Sequence, residues 1–203
     1  VRWLGGGSGA GKTTVARRLA ARYGLTRYGT DDVLDDHARR ARGRPAVDAF
    51  VAQNPDERWV QRTPQEMLDT FPWFAGEGFD LVVADLAARG GDPPVLAEGF
   101  RLLPDRVAPL LGERGRAVWL LPTPEFRRRA FESRPDIRAI AARTSDPARA
   151  WRNLLERDRR FTERLRDQVR SAGLVAYEVD LDTPESGLVA AVAVALGLEP
   201  PGG

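Results

Sequence analysis

The chain has 203 residues, 42% hydrophobic and 30% charged, and its 31 Lys and Arg nearly cancel 29 Asp and Glu to leave a net charge of +2. That length fits one domain with a full core, and the balanced charge argues against a nucleic-acid or anionic-membrane partner. With no Cys and a single His, a disulfide framework, a thiolate nucleophile and a Cys- or His-cluster metal site are excluded.

Arg2-Trp3-Leu4 reads as a short buried strand that runs directly into Gly6-Gly7-Ser8-Gly9-Ala10-Gly11-Lys12-Thr13-Thr14. This is the pattern G-x-x-x-x-G-K-[ST], in which glycines let backbone N–H groups wrap the phosphates of a nucleotide. Lys12 is the only lysine beside thirty arginines, and it falls where a compact ammonium bridges the outer phosphates. Thr13 to Tyr23 follows as a helix with Val15, Ala16, Leu19 and Ala20 on one face, closed by Gly24. Leu25 to Tyr28 is a second strand, and Gly29-Thr30-Asp31-Asp32 leads into a helix near Val33. Asp31 or Asp32 in that place is either a helix cap or a working carboxylate. Asp35, Asp36 and His37 are expected on a solvated helix face.

Gly43 to Asn54 fixes no element by its pattern. Thr63-Pro64-Gln65-Glu66 is a capping box that predicts a helix from Pro64 to about Phe71. Glu77 to Arg89 predicts another, ended by Gly90-Gly91. Val95 to Glu98 and Ala117 to Leu121 are apolar strands, with a helix from Pro124 to Ser133 after the second. Trp151, Leu154, Leu155, Asp158, Thr162, Leu165 and Val169 share one face of a long amphipathic helix running from Ala148 to about Ala172. Val175 to Val179 is the last strand and Pro184 to Leu196 the closing helix. No apolar run is long enough for a bilayer span and no signal peptide is visible, so a cytoplasmic protein is expected. Val1 is not an initiator Met, so at least one residue is expected ahead of the first strand.

Alternating β and α elements predict an α/β protein: a mostly parallel sheet covered on both faces, with ligands at the carboxyl ends of its strands. The glycine loop, Asp31, Glu98 and the segment after Leu121 all fall at such ends. A GTPase is disfavoured because its guanine signature [NT]-K-x-D needs a second lysine. From the phosphate loop, the element order and the acids after the second and third strands, the chain resembles the small-molecule kinases of the P-loop superfamily. These include nucleoside monophosphate kinases, shikimate and gluconate kinases, uridine-kinase-like enzymes and chloramphenicol phosphotransferase.

The resemblance implies one three-layer domain over residues 1–203 with a central parallel five-stranded sheet, an acceptor-binding insert at about 44–90 and a lid at about 127–150. It implies ATP and Mg²⁺, with the loop from Gly6 to Thr14 and Lys12 on the phosphates and Thr13 on the metal. Asp31 is the expected base toward a small-molecule acceptor, and Asp32 lies nearer the metal. Glu98, in Glu98-Gly99-Phe100-Arg101, is expected on metal or acceptor, and Arg101 on the acceptor. From the lid, Arg134 and Arg143 are expected on the transferred group and Arg134 and Arg149 on ATP. Asp180 to Thr183 resembles the loop beside the adenine. Trp59, Phe71, Trp73, Phe74 and Phe79 in the insert are read as core packing for the most part, some of them as a pocket wall. The expected reaction is transfer of the γ-phosphoryl group to a hydroxyl. Alternatives are a nucleoside monophosphate kinase using Arg101 and a second arginine, a polynucleotide end kinase, and a regulatory nucleotide binder.

Overall fold

The computed structural model describes residues 1–90, 92–112 and 116–198. Five strands form one sheet: β1 (Arg2–Gly6), β2 (Thr26–Gly29), β3 (Val95–Glu98), β4 (Ala117–Pro122) and β5 (Val175–Val179). They lie in the order β2-β3-β1-β4-β5, every neighbouring pair parallel. A parallel sheet needs crossovers that cover both faces, so its strands become continuous apolar runs. In β4, Val118 and Leu120 join the cluster with Leu4, Val15, Leu19 and Val192, while Trp119 and Leu121 join the one with Phe74, Val82, Phe161 and Leu165. The first cluster packs α1 (Lys12–Tyr23) and α11 (Glu185–Ala195), and the second packs α6 (Phe79–Ala88) and the 25-residue α10 (Pro147–Ser171).

Between β2 and α6 the chain inserts α2 (Leu34–Arg40), α3 (Pro45–Ala52), α4 (Pro55–Trp59), α5 (Pro64–Thr70) and a 3₁₀ turn, Pro72–Phe74. The capping box expected at Thr63 is present, and Asn54 with Glu57 makes a second one that starts α4. The stretch with no legible pattern, 43–54, contains α3, which begins at Pro45. After β3 come α7 (Pro104–Val107) and a 3₁₀ turn; after β4 come α8 (Pro124–Glu132) and α9 (Pro135–Ala142). The break between α8 and α9 falls at Arg134, because the proline that follows disfavours helical backbone there. Gly91, expected to end the helix before β3, lies outside the described residues. No described helix is long and apolar enough to cross a membrane.

The connection after β1 runs to β2 on one side and the connection after its neighbour β3 runs to β4 on the other, so the chain diverges at the carboxyl ends of these two adjacent strands. In open α/β sheets that divergence leaves a crevice. Here the glycine loop fills its floor.

Candidate active site

The loop after β1 turns where side chains are disfavoured. Gly9 and Gly11 have φ of 79° and 78°, in the left-handed region that glycine enters without steric cost. Gly7 is held close to α10: a Cβ there would lie 2.6 Å from Thr162 Oγ1. The loop ends as the N-terminus of α1, with Gly11 at its cap and no acidic residue in the first turn, a geometry that favours anions. Lys12 folds back over the loop and donates to the Gly7 carbonyl at 2.8 Å. Burial pushes its pKa down, and the nearby carboxylates of Asp31, Glu98 and Asp158 oppose that push.

Glu98, at the end of β3, is 3% exposed. Thr13 Oγ1 donates to its Oε2 at 3.3 Å, and Arg27 Nη1 donates to its Oε1 at 2.6 Å. The second arm of Arg27 pairs with Asp32. Burial raises the pKa of Glu98, while Lys12 and Arg27 hold it down. Mg²⁺ prefers hard oxygen donors and few protein ligands when it binds together with phosphates. The Thr13 hydroxyl and the Glu98 carboxylate are such a donor set. Among the described residues no cluster of three or more His, Cys, Asp or Glu forms an all-protein cage.

Asp31 is exposed and lines the same cavity as the loop. The N-cap of α2 is Val33 with no side-chain cap bond, so neither Asp31 nor Asp32 is occupied as a cap. The cavity, of about 740 Å³, runs from Ser8–Thr14 past Asp31 and Asp32 to a wall of aromatic rings: Phe50, Trp59, Phe71, Trp73, Phe74 and Phe100. Arg134 lines it and pairs with Asp136 at 2.8 Å. Arg143 caps the end of α9 and Arg149 lies in the first turn of α10; both are exposed, and neither is brought to the cavity. Asp180 makes its contacts inside its own turn, with Asp182 and Thr183.

Arg101 does not point into this cavity. It is 2% exposed, donates to Gly78 O at 3.0 Å, shares a 2.8 Å bond with His37 Nδ1 and lies over the Trp73 ring. Burial brings its pKa down to about 10. His37, expected on a solvated face, is fully buried. Its Nε2 bonds Asp85 at 2.8 Å, and Asp85 also accepts from Tyr28 and Arg40. The four neighbours of His37 that look polar in sequence say nothing of α6 and Arg101, which close over it from elsewhere in the chain.

Three further charged groups, two on the cavity and one beneath the phosphate loop, have no role legible in the sequence. Arg127, buried in α8, donates to Ser8 O at 3.3 Å and also to Thr162, tying α8 to the loop and to α10. Arg157 and Asp158 form a buried pair at 2.6 Å, with the guanidinium over Trp59, Phe71 and Phe74. The signal was in the helix pattern. Asp158 and Thr162 interrupt the apolar stripe of α10, and polar residues on a buried stripe need partners.

A parallel sheet with a glycine loop and lysine at its switch point defines a P-loop nucleotide-binding protein. Comparison with protein-family models finds no match. The adenylate kinase of Thermus thermophilus is 30% identical over 203 residues, covering 95% of this chain and 95% of that protein. The adenylate kinase of Deinococcus deserti is 32% identical over 125 residues, which span 54% of this chain and 61% of that relative. Among solved structures, shikimate kinase from Acinetobacter baumannii in complex with shikimate aligns over 97% of this chain and 90% of its own, with 22% identity and a TM-score of 0.48. The chain belongs to the P-loop nucleoside monophosphate kinase-like superfamily, a family of ATP-dependent phosphotransferases.

Proposed function

We propose that the protein transfers the γ-phosphoryl group of ATP to a hydroxyl of a small molecule. The observation that carries this reading is the placement of Asp31, uncapped and exposed, on the wall of the cavity whose floor is the phosphate loop. Lys12 and the loop amides would hold the phosphates and set the direction of transfer. The acceptor oxygen attacks the γ-phosphorus as its bond to the β–γ bridging oxygen breaks, and Asp31 takes the hydroxyl proton. Thr13 and Glu98 would hold Mg²⁺, which supplies charge neutralisation to the phosphate oxygens. Arg27 fixes one oxygen of Glu98 and so leaves the other turned toward Thr13. Arg127 clamps Ser8 from the lid side, and Arg134 stands over the same space. Positioned cations suit a loose transition state that spreads charge over equatorial oxygens.

A second reading, a nucleoside monophosphate kinase, is favoured by the identity to the Thermus adenylate kinase across nearly both chains. It needs guanidiniums for the acceptor phosphate, and Arg101 is tied to His37 and Gly78. The deciding measurement is ADP release from Mg·ATP over a panel of nucleoside monophosphates, nucleosides, sugars, shikimate-like acids and aromatic alcohols. Stimulation by a hydroxyl compound alone supports the first reading, and stimulation by a monophosphate moves the protein to the second. An oligonucleotide end in the same panel, with turnover that falls steeply with salt, would point instead to a polynucleotide kinase.

A further inference from the structure

The aromatic end of the cavity differs from the phosphate end in the kind of group it can receive. Phe71 meets Phe50 edge-on at 5.0 Å and Phe74 edge-on at 4.6 Å, and stacks beside Phe100 at 6.2 Å. Phe50, Trp59, Phe71 and Phe100 are only partly buried, so ring surface stays open to the cavity. Two arginines meet these rings: Arg157 is already paired with Asp158 and covered by Trp59, Phe71 and Phe74, and Arg58 lies over Phe50 at 4.0 Å and donates to the Phe50 and Gln53 carbonyls. The other arginines of this side are engaged too: Arg40 with Asp36 and Asp85, Arg44 with Asp80 and Glu77, and Arg101 as described above. The hydroxyl side chains that line the cavity belong to the phosphate loop and to Ser133 after α8.

We infer that the acceptor is an uncharged aryl alcohol whose ring enters the box of Phe50, Trp59, Phe71 and Phe100 and whose hydroxyl reaches Asp31. This rests on the reading of the cleft as the site of phosphoryl transfer. A flat apolar ring gains edge and face contacts with such walls and removes their remaining surface from water. An acceptor phosphate would be stripped of water opposite a guanidinium already neutralised by Asp158. A nucleobase would lose the hydrogen bonds of its polar edge to walls that have neither amide nor hydroxyl side chains to replace them. Both are therefore rejected by what the wall lacks, and the aryl alcohol is accepted by what it offers.

The test titrates three probes, 2-naphthalenemethanol, adenosine and AMP, into the full chain with its phosphate loop filled by Mg·ADP, followed by saturation-transfer NMR. The naphthyl alcohol should bind at least about tenfold more tightly than either adenosine or AMP. Phe50→Asn, at a partly exposed ring on α3, should weaken the naphthyl alcohol about tenfold and leave the thermal shift caused by Mg·ATP unchanged. Tighter binding of AMP or adenosine than of the naphthyl alcohol overturns the inference. So does undiminished binding of the alcohol by a Phe50→Asn protein that keeps its Mg·ATP shift. The ranking of the three probes uses the unaltered chain, so it decides even if the variant fails to fold. A wild-type chain with no Mg·ATP shift would sink the kinase reading, and that result is separate from the order in which the probes bind.

Discussion

At the phosphate end of the cleft, backbone amides and one lysine come from the nine consecutive residues 6–14. At the aromatic end, α3, α4, the Pro72–Phe74 turn, the segment after β3 and α10 each supply a ring or a charge. The first region is fixed by local backbone geometry: left-handed glycines, a helix N-terminus, and a lysine that reaches its own loop. The second is held by contacts between distant segments, such as Phe74 stacked on Phe161 at 3.7 Å and Arg157 over three rings. The contrast teaches that, under the proposed function, donor binding and acceptor choice would rest on separable parts of the molecule, which substitutions should divide.

The largest effect is expected where the two regions meet. Asp31→Asn should lower kcat by roughly 10²–10⁴-fold while Mg·ATP still raises the melting temperature. If the variant loses ATP binding together with turnover, the carboxylate belongs to the donor end and the division fails. Lys12→Ala should cost roughly 10²–10³-fold in turnover and weaken ATP, and should leave acceptor binding intact when followed by NMR. Near-full turnover in that variant removes the loop from the chemistry. Phe74→Ala, at a buried ring, should cost roughly 3–5 kcal/mol of stability in denaturant unfolding. Its folded fraction should still bind ATP if the two ends are built independently.

A smaller effect concerns pH. Burial lowers the pKa of His37, with Arg101 and Arg40 adding to it and Asp85 opposing. Tyr28 also reaches Asp85 in this network. Because the folded value lies below the unfolded one, the unfolded chain binds more protons between them. Stability is therefore complete above the ordinary histidine pKa near 6.5 and falls as pH drops below it. His37→Gln should flatten the melting-temperature slope over that range. Although burial pushes Asp85 upward, hydrogen bonds from Arg40, His37 and Tyr28 bring its pKa down to about 2. Its contribution is present above the ordinary value of 3.8 and is lost as pH falls through about 2, a window below that of His37. A slope unchanged in His37→Gln would show that the buried network does not titrate with folding.

The sequence by itself determined the strand–loop–helix around Lys12, the alternation that makes the sheet parallel, and the strand ends that carry Asp31 and Glu98. Each of these is written in a pattern a few residues long, in glycines, caps and apolar periods whose physical effect is local. Asp158 and Thr162 were half legible, as polar breaks in the stripe of α10 with no indication of their partners. Only the tertiary structure decided that His37 is buried, that Arg101 turns inward, that Arg143 and Arg149 stay off the cavity, that Arg157 reaches it, and that Arg127 is buried against the phosphate loop. Those outcomes depend on which distant segments close over a side chain, and burial and pairing across the fold leave no mark on the residues next door.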